Sequence, residues 1–122
     1  MSRILALAVC ICWFGCGHAQ STSSVSLGST LYRNCKAEIR SSESSTPNRE
    51  DDELGMECLN YIAGFTDALA VAHQMCPSEN TSRGTVVRLY VAYMDRYPKL
   101  LDDDRGIGVW GTLADAYPCP NH

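Results

Sequence analysis

Four cysteines, Cys35, Cys58, Cys76 and Cys119, lie on or beside segments whose apolar residues recur every three or four positions, and this combination restricts the fold more than any other feature of the chain. An even set of cysteines in a short exported protein reads as two disulfides. Export is what the first residues predict. One positive charge at Arg3, the apolar run 4–14 and the small-residue step Gly17, His18, Ala19 have the layout of a secretory signal peptide. The run is too short for a membrane span, which takes about 20 apolar residues. We therefore expect cleavage after Ala19, a disordered Ser/Thr-rich leader over 20–26 and a helical domain over 27–122. Cys10, Cys12 and Cys16 leave with the signal. Processing as a lipoprotein at Cys16 is disfavoured by the bulky Trp13 and Phe14 before it.

Removing 19 of 122 residues leaves 103, and the loss of Arg3 takes the net charge from -4 to -5. That balance argues against nucleic acid as a partner, because phosphate binding needs a basic face. A chain this short buries about 65% of its unfolded surface, which makes a marginal single domain for which cross-links matter.

Four helices account for the rest. Leu27, Leu31, Tyr32 and Cys35 set a first helix ending near Ile39, and the polar segment 41–50 with Pro47 is a loop. Acidic residues 51–53 open a second helix running to about Met75, before Pro77. Its stripe is Cys58, Ile62, Phe65, Leu69, Ala72 and Met75, widened by Tyr61, Ala68 and Val71. This helix is expected to be central. Gly64, which costs about 1 kcal/mol relative to Ala in a helix interior, is expected to mark close approach of a neighbour. A third helix covers roughly Thr85 to Tyr97, and a fourth roughly Asp104 to Tyr117, with Asp102 and Asp103 as candidate caps and Trp110, Leu113, Ala114 and Tyr117 on its apolar stripe. The fold class is all-α, a small four-helix bundle-like domain with two disulfides.

Helix geometry chooses the pairing. In an up-and-down arrangement Cys35, about four residues before the end of the first helix, and Cys58, about seven residues into the second, agree in height within ~5 Å at ~1.5 Å per residue. Cys76 and Cys119 close the second and fourth helices at the opposite end. Cys58 and Cys76 are separated by roughly 27 Å along one helix, whereas a disulfide spans Cα separations of about 4.4 to 6.8 Å. The expected bridges are Cys35–Cys58 and Cys76–Cys119.

Reactive readings are weak beside this one. A nucleophilic Cys58 would want His73 as its base, but the two stand about 22 Å apart on one helix. There is no CxxC pair or histidine cluster for zinc, His122 being terminal. The stretch Gly106 to Gly111, GIGVWG, fits a dinucleotide pattern but follows DDDR instead of a strand and leaves only eleven residues after it. Its glycines are better read as letting the fourth helix start against neighbours or a second subunit. Neither a cofactor nor a metal nor catalysis is expected. Asn80, Thr81 and Ser82 fit a glycosylation acceptor but read as a polar turn. The acidic loop Pro98 to Asp104, with Leu100 and Leu101 as exposed anchors and Asp102, Asp103 and Asp104 as its charges, is a candidate for docking on a basic rim of a partner.

LYRNC (Leu31 to Cys35), ECLNYIAGFTDAL (Glu57 to Leu69), Cys76-Pro77, VVRLYVAYMDRYP (Val86 to Pro98) and LADAYPCP (Leu113 to Pro120) together resemble the Rap/Tai immunity proteins of bacterial type VI secretion. The resemblance implies a small periplasmic helical protein, homodimeric, that binds a toxin effector, a peptidoglycan amidase, and occludes its active-site cleft with no chemistry of its own. The Ser-rich loop 41–50 departs from the family. An alternative from a different class is a small periplasmic chaperone or structural helper of the acid-stress type, whose dimer would be lost as its 14 carboxylates protonate.

Overall fold

The computed structural model describes residues 27–46 and 48–120; the expected signal peptide, the leader, Pro47 and residues 121–122, His122 included, lie outside the described residues. Four helices follow one another: α1 (Gly28–Glu43), α2 (Arg49–Val71), α3 (Arg83–Arg96) and α4 (Arg105–Ala116), with a 3-10 helix at Pro98–Asp102 between α3 and α4. No strand forms among the described residues. A single antiparallel bridge joins Leu27 to Asp104. The all-α class is as the sequence implied.

The helix ends differ from expectation, for local reasons. α1 continues past Ile39 because its last turn is tied to α2: Arg40 pairs with Asp51, and the Ser41 hydroxyl donates to Asp52. The expected loop 41–50 shrinks to 44–48. Asn48 caps α2, its Oδ1 accepting the Glu50 N–H at 3.2 Å, and Glu50, Asp51 and Asp52 occupy the positive end of the helix dipole. α2 stops at Val71, four residues before Met75. His73 adopts a left-handed φ of 54°; its N–H donates to Ala70 O at 3.0 Å and the Gln74 N–H reaches Leu69 O at 2.9 Å. These two bonds satisfy the last carbonyls in the way a C-terminal glycine usually does. A turn at His73, and not Pro77, ends the helix. Ser82 caps α3 through Thr85 N–H at 3.1 Å, closing the turn at 78–81 that the glycosylation pattern overlaps.

Both bridges form. Cys35 and Cys58 join at a Cα separation of 5.1 Å, and Cys76 and Cys119 at 4.9 Å. Cys35 precedes Glu43 by eight residues and Cys58 follows Arg49 by nine. Each helix extends further into the turn than expected, α1 by four residues and α2 by two, and the two cysteines still stand at matching heights. The first bridge is fully buried beside Leu31, Ile62, Val87, Tyr90, Val109 and Leu113. Apolar burial on this scale, at about 25 cal/mol per Å², is the main favourable term.

Three expectations about faces are corrected. Gly64 faces open space. Ala68 and Ala72 are exposed and Val71 is 82% exposed, so the stripe of α2 is narrower than drawn, and Trp110 on α4 points outward at 52% exposure. The close approaches fall at other glycines. A Cβ at Gly108 would stand 2.6 Å from Met94 Sδ, and one at Gly28 would stand 2.4 Å from the carbonyl oxygen of Leu100.

Candidate partner-binding surface

Pro98 ends α3 and begins the 3-10 helix; its ring fixes φ and removes the N–H that an α-helix would need. The Tyr97 N–H donates to the carbonyls of Tyr93 and Met94 at 3.1 and 3.2 Å, and the Leu100 N–H donates to Tyr97 O at 3.0 Å. The tight turn rolls Leu100 and Leu101 inward. They are half-buried and pack against the core, which corrects their expected role as exposed anchors. The turn is fastened below by α1: Gly28 N–H donates to Asp103 O at 2.8 Å, and the Tyr90 hydroxyl, fully buried, donates to Gly28 O at 3.3 Å. Burial, with the neighbouring Tyr61, raises the Tyr90 hydroxyl far above its ordinary pKa, so it stays a donor.

The three aspartates separate into two roles. Asp104 caps α4, its Oδ1 accepting the Gly106 N–H at 2.8 Å, so Asp102 and Asp103 are not the caps. Asp102 and Asp103 stand exposed at the tip, and the backbone carbonyl of Asp103 is what holds α1. The far end of the loop is seated by Arg105, whose guanidinium lies 4.1 Å from the centre of the Tyr61 ring, with Phe65 5.9 Å beyond. The structure therefore brings all five proposed loop residues together, with two exposed charges above two inward leucines.

Next to the tip lies a feature the sequence reading missed. Tyr97 is half exposed, its ring centre 4.7 Å from that of Tyr93, and Arg96 lies over both rings at 5.7 and 5.8 Å. The dipeptide Tyr97-Pro98 at a helix end was the available signal. Elsewhere, a groove of about 430 Å³ beside the second bridge is lined by His73, Met75, Trp110, Ala114 and Cys119. All four described cysteines are oxidised, so His73 has no thiol to activate; its carbonyl lies 3.7 Å from Cys119 Sγ.

A surface of exposed charges and aromatics on a stapled scaffold suits binding, and the sequence comparison gives that a family. The profile of the Rap1a immunity proteins matches residues 27–119. The chain belongs to this family. The matched range begins at Leu27, which bridges Asp104, and ends at Cys119, the last bridged cysteine. It therefore takes in the whole helical body and the entire loop. No curated protein and no solved structure matches the chain. As a Rap1a immunity protein it has the task of binding a cognate toxin. No helix among the described residues is long and apolar enough to cross a membrane.

Proposed function

We propose that this protein is a periplasmic inhibitor of a toxin delivered by type VI secretion, a peptidoglycan amidase, and that Pro98–Asp104 enters the toxin's cleft. In this reading residues 1–19 are removed as a signal peptide, 20–26 form a leader and 27–122 are the immunity domain. The observation that carries it is the fastening of the loop to α1 through Gly28 and Asp103 at 2.8 Å. An inserting loop that is already ordered avoids a cost of about 0.5 to 1.5 kcal/mol for each side chain immobilised on binding. Asp102 and Asp103 supply the charge that a basic cleft rim attracts. We further propose a homodimer, in keeping with the family resemblance; Ile107 and Trp110, each about half exposed on the outward face of α4, are the apolar surface a second copy would cover.

The test starts with capture from a periplasmic extract and an amidase assay of what is bound. The oxidised protein should inhibit at one equivalent, and the double variant Asp102→Lys with Asp103→Lys should weaken binding about a hundredfold, or ~2.7 kcal/mol, with thermal stability unchanged. Unaltered affinity dismisses the loop. Protection of unrelated clients, seen only in acid, would replace inhibition with the chaperone reading.

A further inference from the structure

We propose that the open groove between the end of α3 and the start of the loop, bounded by Tyr93, Tyr97, Pro98 and Leu100 and rimmed by Arg96 and Lys99, is a second contact surface for the same partner, and that it takes a segment carrying an apolar side chain next to a carboxylate. The identity of the partner as a toxin rests on the preceding reading. The chemistry of the groove does not. Its volume is about 460 Å³, ample for one or two side chains.

Shape supplies the first argument. The groove walls are fixed before anything binds. Tyr93 packs on α4 where Gly111 has no side chain; a Cβ there would stand 2.6 Å from the Tyr93 hydroxyl oxygen. Tyr97 is held at its backbone by two carbonyls and at its ring by Tyr93, and Pro98 has a locked φ. Pre-ordered aromatic and Arg side chains are the groups that carry most of the energy in protein interfaces.

Charge supplies the second. The chain carries a net charge of -4, and the exposed Asp102 and Asp103 follow Leu100 within three residues, yet the rim of the groove is cationic. Lys99 is exposed and has no ion pair or hydrogen bond among the described residues. Arg96 is paired only with Asp115, at 3.3 Å and well exposed on both sides, an arrangement worth little that a better-placed carboxylate can displace. An apolar slot between two cations selects an apolar side chain flanked by acid. The acidic tip selects the opposite sign. Two adjacent patches of opposite charge fix the orientation of a partner as well as its affinity.

The probe is a peptide, free of any toxin: an acetylated and amidated pentapeptide with leucine between pairs of aspartates, titrated into the ¹⁵N-labelled, disulfide-intact protein. The amides of Tyr97, Lys99 and Leu100 should shift, with a dissociation constant of about 1 mM. Replacing aspartate by lysine in the peptide should weaken binding about tenfold, as should Tyr97→Ala or Lys99→Glu in the protein. Equal binding of the lysine peptide, or shifts that map away from the groove, overturns the proposal. Failure of the peptide overturns the groove alone, and failure of toxin inhibition overturns the preceding reading alone.

Discussion

The backbone N–H of Gly28 donates to the carbonyl of Asp103 at 2.8 Å, so the first residue of α1 and the tip of the α3–α4 loop are one mechanical unit. Residues 75 apart in sequence set each other's position, and the Leu27–Asp104 bridge extends the same contact by one residue on each side. The predictions below start from that joint.

Gly28→Ala should force the joint open. The added carbon would meet Leu100 O at 2.4 Å, and a backbone atom cannot swing aside as a side-chain tip can. We expect a loss of about 2 kcal/mol and a fall in melting temperature of roughly 10 °C, together with weaker toxin binding. Gly64→Ala is the control: it meets nothing within 4 Å and should gain about 1 kcal/mol from helix propensity. Thermal denaturation by circular dichroism checks both, and equal melting temperatures for the two variants would contradict the geometry.

His73→Gly should stabilise the protein by about 1 kcal/mol, because a left-handed φ of 54° strains any residue with a Cβ. His73→Val should lose a similar amount, its branched side chain being least suited to that conformation. Urea midpoints at neutral pH will rank the three forms, glycine highest.

The two bridges should differ in reach. Cys35 and Cys58 are fully buried, whereas Cys76 is exposed and Cys119 half-buried. Mild reductant on the folded protein, followed by alkylation and peptide mass spectrometry, should label Cys76 and Cys119 first. Removing either bridge by paired substitution to Ala should lower stability by about 3 to 4 kcal/mol in the chain-entropy model. Simultaneous labelling of all four cysteines would mean that the domain opens as a whole before either bridge is reached.

Glu38 gives a pH dependence of unusual sign. Burial raises its pKa; Arg88 opposes the shift and Asp52 adds to it. The folded state then holds the proton more tightly than the unfolded one, so stability from this site rises as pH falls through the folded pKa and the ionised form is a cost at neutral pH. Glu38→Gln should therefore stabilise the protein slightly at pH 7. The advantage should vanish below about pH 4, where the carboxyl is protonated in both states. A difference that persisted in acid would assign the effect to packing.

Much of this architecture is readable in the sequence, and the misreadings share a cause. The bridges, the four helices and the position of the loop followed from Cys35, Cys58, Cys76, Cys119 and the 3.6-residue period, because those constraints are local or one helix long. The faces of α4 did not. Its buried side is Gly108, Val109, Thr112 and Leu113, and two of those four are residues that a search for apolar side chains passes over. The outward Trp110 took their place in the expected stripe. Asn34, buried and hydrogen-bonded to Glu57 at 2.9 Å, escaped for the same reason. Leu100 and Leu101 read as outward in the sequence because nothing within Pro98 to Asp104 reports that Gly28 leaves a space beneath them.

The glycines of α4 reach beyond packing. Three glycines in a helix of 12 residues, each unfavourable by about 1 kcal/mol against alanine, leave a segment too short and too pliant to coil on its own. Its order is borrowed from the helices it lies against. The loop tip is thus joined on one side to a helix whose order depends on its neighbours, so a partner that grips the tip would also steady that helix. A bound partner should slow deuterium uptake along the amides of α4, including at positions it never touches.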